Sequence, residues 1–132
     1  MAGTEEVMAL ARRTRDRAYA PYSGFRVGAV LEAEDGTLVA GCNVENASLG
    51  LTICAARAAV AAAVAAGETR FQAVAIVTDG AGPVAPCGAC RQVLAEFEPA
   101  LQGWAEGGGT QGGWKLDELL PEAFREIPGR PS

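Results

Sequence analysis

The stretch from Cys54 to Phe97 opens with Cys54-Ala55-Ala56-Arg57. It continues through Phe71-Gln72-Ala73-Val74-Ala75-Ile76-Val77-Thr78 and reaches Pro86-Cys87-Gly88-Ala89-Cys90-Arg91-Gln92. Residues Cys54 to Ala66 are almost all alanine and valine, and Gly67 stops them as a helix C-cap would. Small side chains on every face predict a helix that is central and buried. Phe71 to Thr78 is an apolar run of strand length. Asp79 to Pro86 is a loop, and Cys87 to Phe97 is a second helix opening on a Cys-x-x-Cys turn. Three cysteines therefore stand at the starts of two helices. A helix N-terminus favours negative charge and lowers a thiol's pKa. Two such ends facing each other present three thiolates to one metal ion. Three protein ligands leave a fourth position open, which is the arrangement of a catalytic zinc.

Working outward, residues 4–18 place Val7, Leu10, Ala11, Thr14 and Ala18 at helical spacing behind Thr4 as N-cap. Ala20 to Gly24 is a breaker-rich loop. Phe25 to Ala33 and Thr37 to Val44 read as strands of a hairpin joined at Glu34-Asp35-Gly36. Asn46 to Thr52 is a loop. Gly103, Gly107, Gly108, Gly109, Gly112 and Gly113 crowd the region after the second helix. Short or irregular strands at Leu101–Ala105 and Gln111–Lys115 are all it promises. Leu116 to Phe124 reads as a terminal helix interrupted at Pro121. The order helix, hairpin, helix, strand, helix predicts an α/β fold with helices packed on a sheet. Without internal repeat or second core, residues 1–132 are expected to form one domain.

The net charge is −5, from 16 acidic and 11 basic residues, which argues against a polynucleotide partner. The run Arg12, Arg13, Arg15, Arg17 is broken by Asp16 and reads as a solvated helix face. The longest apolar tract, Ala58 to Ala66, is too short to span a membrane. The N-terminus lacks the basic and apolar regions of a signal peptide. A cytoplasmic location with reduced cysteines is expected. There is no histidine. Serine triads, Cys-His nucleophiles and imidazole metal ligands are thereby excluded.

Four motifs in order carry a resemblance. Ala20-Pro21-Tyr22-Ser23-Gly24-Phe25-Arg26-Val27-Gly28-Ala29, Gly41-Cys42-Asn43-Val44-Glu45-Asn46-Ala47, Thr52-Ile53-Cys54-Ala55-Ala56-Arg57 and Pro86-Cys87-Gly88-Ala89-Cys90-Arg91-Gln92 are similar to segments of the small zinc-dependent cytidine deaminases. The tail from Leu116 to Phe124 also resembles theirs. The resemblance implies a three-layer α/β/α fold with a mixed sheet. It implies Zn2+ on Cys54, Cys87 and Cys90, and hydrolytic deamination of cytidine or deoxycytidine in pyrimidine salvage. It further implies that Asn43 and Glu45 hydrogen-bond the ribose, that Phe25 packs against the nucleoside, and that the backbone of Ala55 and Pro86 meets the pyrimidine edge. Arg57 would relieve the charge of three thiolates on one divalent cation, and Gln92 would support their surroundings. A homotetramer is expected, with Phe124 reaching a neighbour's base.

The chain departs from the pattern at Ala56, where the family carries the glutamate that shuttles protons. An alanine carries none, and losing a general acid–base group costs about two to four orders of magnitude in rate. Every other site residue is intact, which favours an introduced Glu-to-Ala replacement over the drift of a nucleoside-binding pseudoenzyme. Leu49 stands where the family often has an aromatic. Other aminopyrimidines, such as blasticidin, stay open as substrates. Two further rivals are a thiol–disulfide oxidoreductase on Cys87 and Cys90 and an all-cysteine structural zinc module with Cys42 as fourth ligand. Metal analysis separates the last from the three-ligand reading: Cys42→Ala is expected to keep one equivalent of zinc and to stay folded.

Overall fold

The computed structural model describes residues 3–129. Helix α1 (Thr4–Arg15) leads into the hairpin β1 (Val27–Ala33) and β2 (Leu38–Cys42). After a 3-10 turn at Leu49–Leu51 come α2 (Ala55–Ala65), β3 (Phe71–Thr78), α3 (Gly88–Phe97), β4 (Gln102–Gly107), β5 (Thr110–Lys115) and α4 (Leu116–Leu119). The strands form one sheet in the order β2-β1-β3-β4-β5. Only the β3–β4 pair is parallel, and α3 is its crossover. The sheet is mixed, and helices cover both faces.

Alternation along the central strands sorts the core. On one face Ala29, Leu31, Val74 and Ile76 pack with Ala59, Ala63 and Leu94 of α2 and α3. On the other Val30, Ala75 and Val77 meet Val7, Met8 and Ala11 of α1. Each fully buried valine or leucine contributes about 1.5–3 kcal/mol of hydrophobic stabilisation. The helix α2 can press closely on β2 because Gly41 has no side chain. A Cβ there would stand 2.4 Å from the Ala59 nitrogen and 2.7 Å from the Ala55 carbonyl oxygen.

Four expectations are adjusted. First, α2 buries one face only: Ala55, Ala56, Ala59, Val60 and Ala63 are buried, while Ala61, Ala62, Val64, Ala65 and Ala66 are exposed. Second, β1 begins at Val27 rather than Phe25. Side chains replace the ladder there: Asn43 Oδ1 accepts from the Val27 N–H at 2.8 Å, Asn43 Nδ2 donates to the Phe25 carbonyl at 2.9 Å, and Asp79 accepts from the Arg26 N–H at 3.0 Å. Third, β4 and β5 are regular six-residue strands in unbroken register. Trp114 lies over Gly103 and Trp104 over Gly113 on the partner strand, so each indole fills the space its facing glycine leaves. Fourth, the terminal helix stops at Leu119. Pro121 lacks an N–H and disfavours helical backbone at the residue before it, and Leu120 leaves the helix at φ −142° and ψ 73°.

A bidentate ion pair ties α1 to β4. Arg12 Nε and Nη2 donate to the two Glu106 carboxylate oxygens, both at 2.7 Å, and Gln111 Nε2 donates to the same carboxylate at 2.8 Å. Arg12 holds the Glu106 carboxyl down to about 2. A depressed folded pKa gives stability that is present above the unfolded pKa of about 4.3 and is lost as pH falls toward the folded value. The Glu106 side chain is 12% exposed but Arg12 is 33% exposed, so solvent screens part of the interaction. Glu106→Gln is expected to cost about 1–2 kcal/mol at pH 7, with the difference from the parent fading below about pH 2; urea melts across pH check both points.

Candidate active site

Cys54 and Cys87 are the N-cap residues of α2 and α3, and Cys90 lies in the first turn of α3. The Cys54 and Cys87 sulfurs are 3.9 Å apart, those of Cys87 and Cys90 3.5 Å, and all three lie within 4.8 Å of one another. A Zn–S bond of about 2.3 Å places the sulfurs of a tetrahedral site about 3.8 Å apart. The observed spacing fits that geometry. Among the described residues Cys42 does not join this group.

Electrostatics makes the same point. Burial, followed by the neighbouring thiols, pushes the Cys90 thiol up to about 12. At Cys87, burial opposes ionisation, yet the backbone N–H groups of Cys90 and Ala89 and the adjoining thiols outweigh it, so this thiol sits below its ordinary value. Three thiolates crowded together repel one another, and a divalent cation between them removes that conflict. Arg57 adds positive charge beside them. Its Nη2 lies 3.4 Å from both the Cys54 sulfur and the Thr52 carbonyl oxygen. The interaction with Cys54 raises the Arg57 pKa further. Its Nε is buried without a hydrogen-bond partner among the described residues.

The three cysteines line a cavity of about 390 Å³ together with Phe25, Asn43, Glu45, Ala55, Ala56 and Pro86. Ala56 is buried in this wall, 4% exposed, and brings no polar group to it. Asn43 is buried and already holds Phe25 and Val27, leaving one amide hydrogen and one oxygen lone pair. The Glu45 carboxylate accepts from the Ser23 hydroxyl, from the Ser23 N–H at 3.1 Å and from the Tyr22 N–H at 2.9 Å. These donors, Ser23 first, hold its pKa below the usual carboxylate range. Backbone pairing of Val44 with Ile53, at 3.0 Å in both directions, sets the Asn43–Glu45 segment beside Cys54.

Phe124 and Gln92 lie outside the cavity wall. Phe124 is 62% exposed. The Gln92 amide is engaged with the Phe124 backbone, at 2.6 and 3.1 Å, rather than with the thiols. Leu49 is exposed in the 3-10 turn. Sequence reading did not single out Ser23, Thr52, Ile76, Thr78 and Val84, which also line the cavity, or Arg91, which grips the Pro86 carbonyl. Ser23 lies within the Ala20–Ala29 motif, so its loop was visible although its contact with Glu45 was not. The apolar run of β3 signalled Ile76 only as core.

The chain matches the family described as the cytidine and deoxycytidylate deaminase zinc-binding region over residues 1–101. It is 54% identical over 93 residues to a cytidine deaminase of Sporosarcina psychrophila, covering 70% of this chain and 68% of that one. It is 48% identical over 115 residues to a cytidine deaminase of Halalkalibacterium halodurans, covering 85% and 86%. The crystal structure of cytidine deaminase from Burkholderia pseudomallei superposes with a TM-score of 0.89 at 45% identity, covering 93% of this chain and all of that one. That from Mycobacterium tuberculosis superposes at 0.81 and 38%, covering 94% and 98%.

Zinc binding must displace protons from the thiols, Cys90 above all. Zinc affinity, read by competition with a chromophoric chelator, is expected to fall at least about tenfold for each pH unit lowered between pH 8 and 6. With its fold, its three-thiol zinc centre and these relatives in agreement, the chain belongs to the cytidine deaminase family.

Proposed function

We propose that residues 1–132 act as one deaminase domain that hydrolyses cytidine or deoxycytidine to the corresponding uridine and ammonia. The observation that carries this reading is the joining, in one cavity, of a three-thiol metal centre with Asn43 and Glu45. Cys54, Cys87 and Cys90 would hold the zinc ion, which when bound would supply an acidified water as nucleophile. The chain's own residues do the rest. Glu45 and Asn43 accept and donate to the sugar hydroxyls, Glu45 being ionised and pre-oriented by the Tyr22–Ser23 loop. Phe25 contacts the base. The Ala55 N–H and the Pro86 carbonyl meet the polar edge of the pyrimidine. Arg57 offsets the negative charge of the thiolates.

Hydrolysis also needs two protons moved: the first passes from water to ring N3, and the second from the hydroxyl formed on C4 to the departing amine. A single carboxylate at position 56 serves both transfers, and Ala56 serves neither. The chain as it stands therefore binds nucleoside and turns it over very slowly. Ala56 makes binding without turnover the second reading.

We also place the protein in the cytoplasm, in pyrimidine salvage, as a homotetramer in which Phe124 of one subunit reaches the base held by another. Four free cysteines suit a reducing compartment. The exposed Leu49, Leu51, Ile53, Val64 and Phe124 supply apolar surface for subunit contacts.

The test compares this chain with Ala56→Glu in a cytidine deamination assay, both at one zinc per chain. The glutamate form is expected to be faster by at least about two to four orders of magnitude. If both are silent with zinc bound, cytidine is the wrong substrate and other aminopyrimidines come next.

A further inference from the structure

The helix α3 does more than carry two thiols. Arg91 and Gln92 follow Cys90 directly, and together they make five hydrogen bonds to backbone atoms outside or at the start of the helix. The Arg91 N–H donates to the Cys87 carbonyl at 3.0 Å, and its Nε donates to the Pro86 carbonyl at 2.7 Å. One residue thus holds two consecutive carbonyls, those of the buried cavity-wall proline and of a metal ligand. Arg91 Nη1 reaches the other way and donates to the Leu119 carbonyl at 3.0 Å.

Gln92 grips the chain further on. Its Nε2 donates to the Phe124 carbonyl at 2.6 Å, and its Oε1 accepts from the Phe124 N–H at 3.1 Å. A side-chain amide matched to both polar groups of one residue holds that residue as a neighbouring strand would. Residues 120–124 lie outside any helix or strand; Leu120 and Ala123 pack against the core, but Phe124 is mostly exposed, so apolar burial does little to fix the Phe124 end of this segment.

We propose that Arg91 and Gln92 are positioning residues that fasten the Pro86 wall of the cavity and the Leu119–Phe124 segment to the metal-bearing helix, so that nucleoside affinity depends on side chains that do not touch the nucleoside. The identity of the ligand rests on the deaminase reading; the latch itself rests on the hydrogen bonds. A purely structural role for these residues lowers stability without changing the affinity of the folded protein.

The experiment uses the zinc-loaded chain and three variants, Gln92→Ala, Gln92→Glu and Arg91→Lys. Cytidine is titrated calorimetrically, and amide hydrogen exchange is followed across residues 116–124. Gln92→Ala is expected to speed exchange at Phe124 by about tenfold and to weaken cytidine binding by about three- to tenfold, with zinc still at one per chain. Gln92→Glu keeps an acceptor for the Phe124 N–H but loses the donor, and falls between parent and alanine. Arg91→Lys keeps the charge but not the forked geometry, and is expected to weaken cytidine binding by a similar factor. Parent-like exchange and affinity in all three variants overturn the proposal, as does a lowered melting temperature with unchanged affinity. If the parent chain fails to bind cytidine, the deaminase reading falls and exchange alone decides the latch. Faster exchange in Gln92→Ala then supports it, and parent-like exchange overturns it.

Discussion

Two helix N-termini have to meet, each bringing sulfur to the same point, and the rest of the fold serves that meeting. Like charges crowded within 4.8 Å cannot all persist without a cation. Peptide dipoles from two helices, the Arg57 guanidinium and zinc together make the arrangement tolerable. The parallel β3–β4 pair delivers the start of α3 to the carboxyl end of β3, where open α/β sheets place ligands. The start of α2 arrives from the other side because Gly41 lets it ride against β2.

The polar side chains of the site also hold the structure together. Asn43 ends the β1–β2 ladder and so forms the corner from which Phe25 projects. Asp79 does the same at the end of β3: its carboxylate accepts from the Arg26 N–H and from Nε at 2.9 Å. The Tyr22–Ser23 loop is pinned by the carboxylate it orients. Polar groups shared in this way make the pocket part of the frame rather than an addition to it, and preorganise it for a polar ligand.

Much of this was legible in the sequence. The cysteines at helix starts, the apolar β3 run and the Asp-Gly hairpin each rest on local spacing, and local spacing is what a sequence displays directly. Contacts between distant residues were not legible. Nothing near Phe25 shows that Asn43 will replace its ladder bonds, so β1 looked two residues too long. The glycines of β4 and β5 promised only short or irregular strands, whereas register sets Trp114 over Gly103 and Trp104 over Gly113 in two regular ones. A helix built almost wholly of alanine and valine gives little sign of which face is buried, since its periodicity is nearly silent. Gln92 looked like a companion of the thiols because it adjoins them in sequence, whereas the helix turns its amide toward the tail.

The two indoles, one on each face of the sheet, carry an optical consequence. Both tryptophans of the chain lie on the β4–β5 hairpin, and neither belongs to the cavity wall. Intrinsic tryptophan emission therefore reports the condition of that sheet edge, not the filling of the pocket. The chromophores at the pocket are Phe25 and the thiolates. Charge-transfer absorption of a cobalt-substituted thiolate centre would watch the chemistry, while tryptophan emission watched the edge strands unfold.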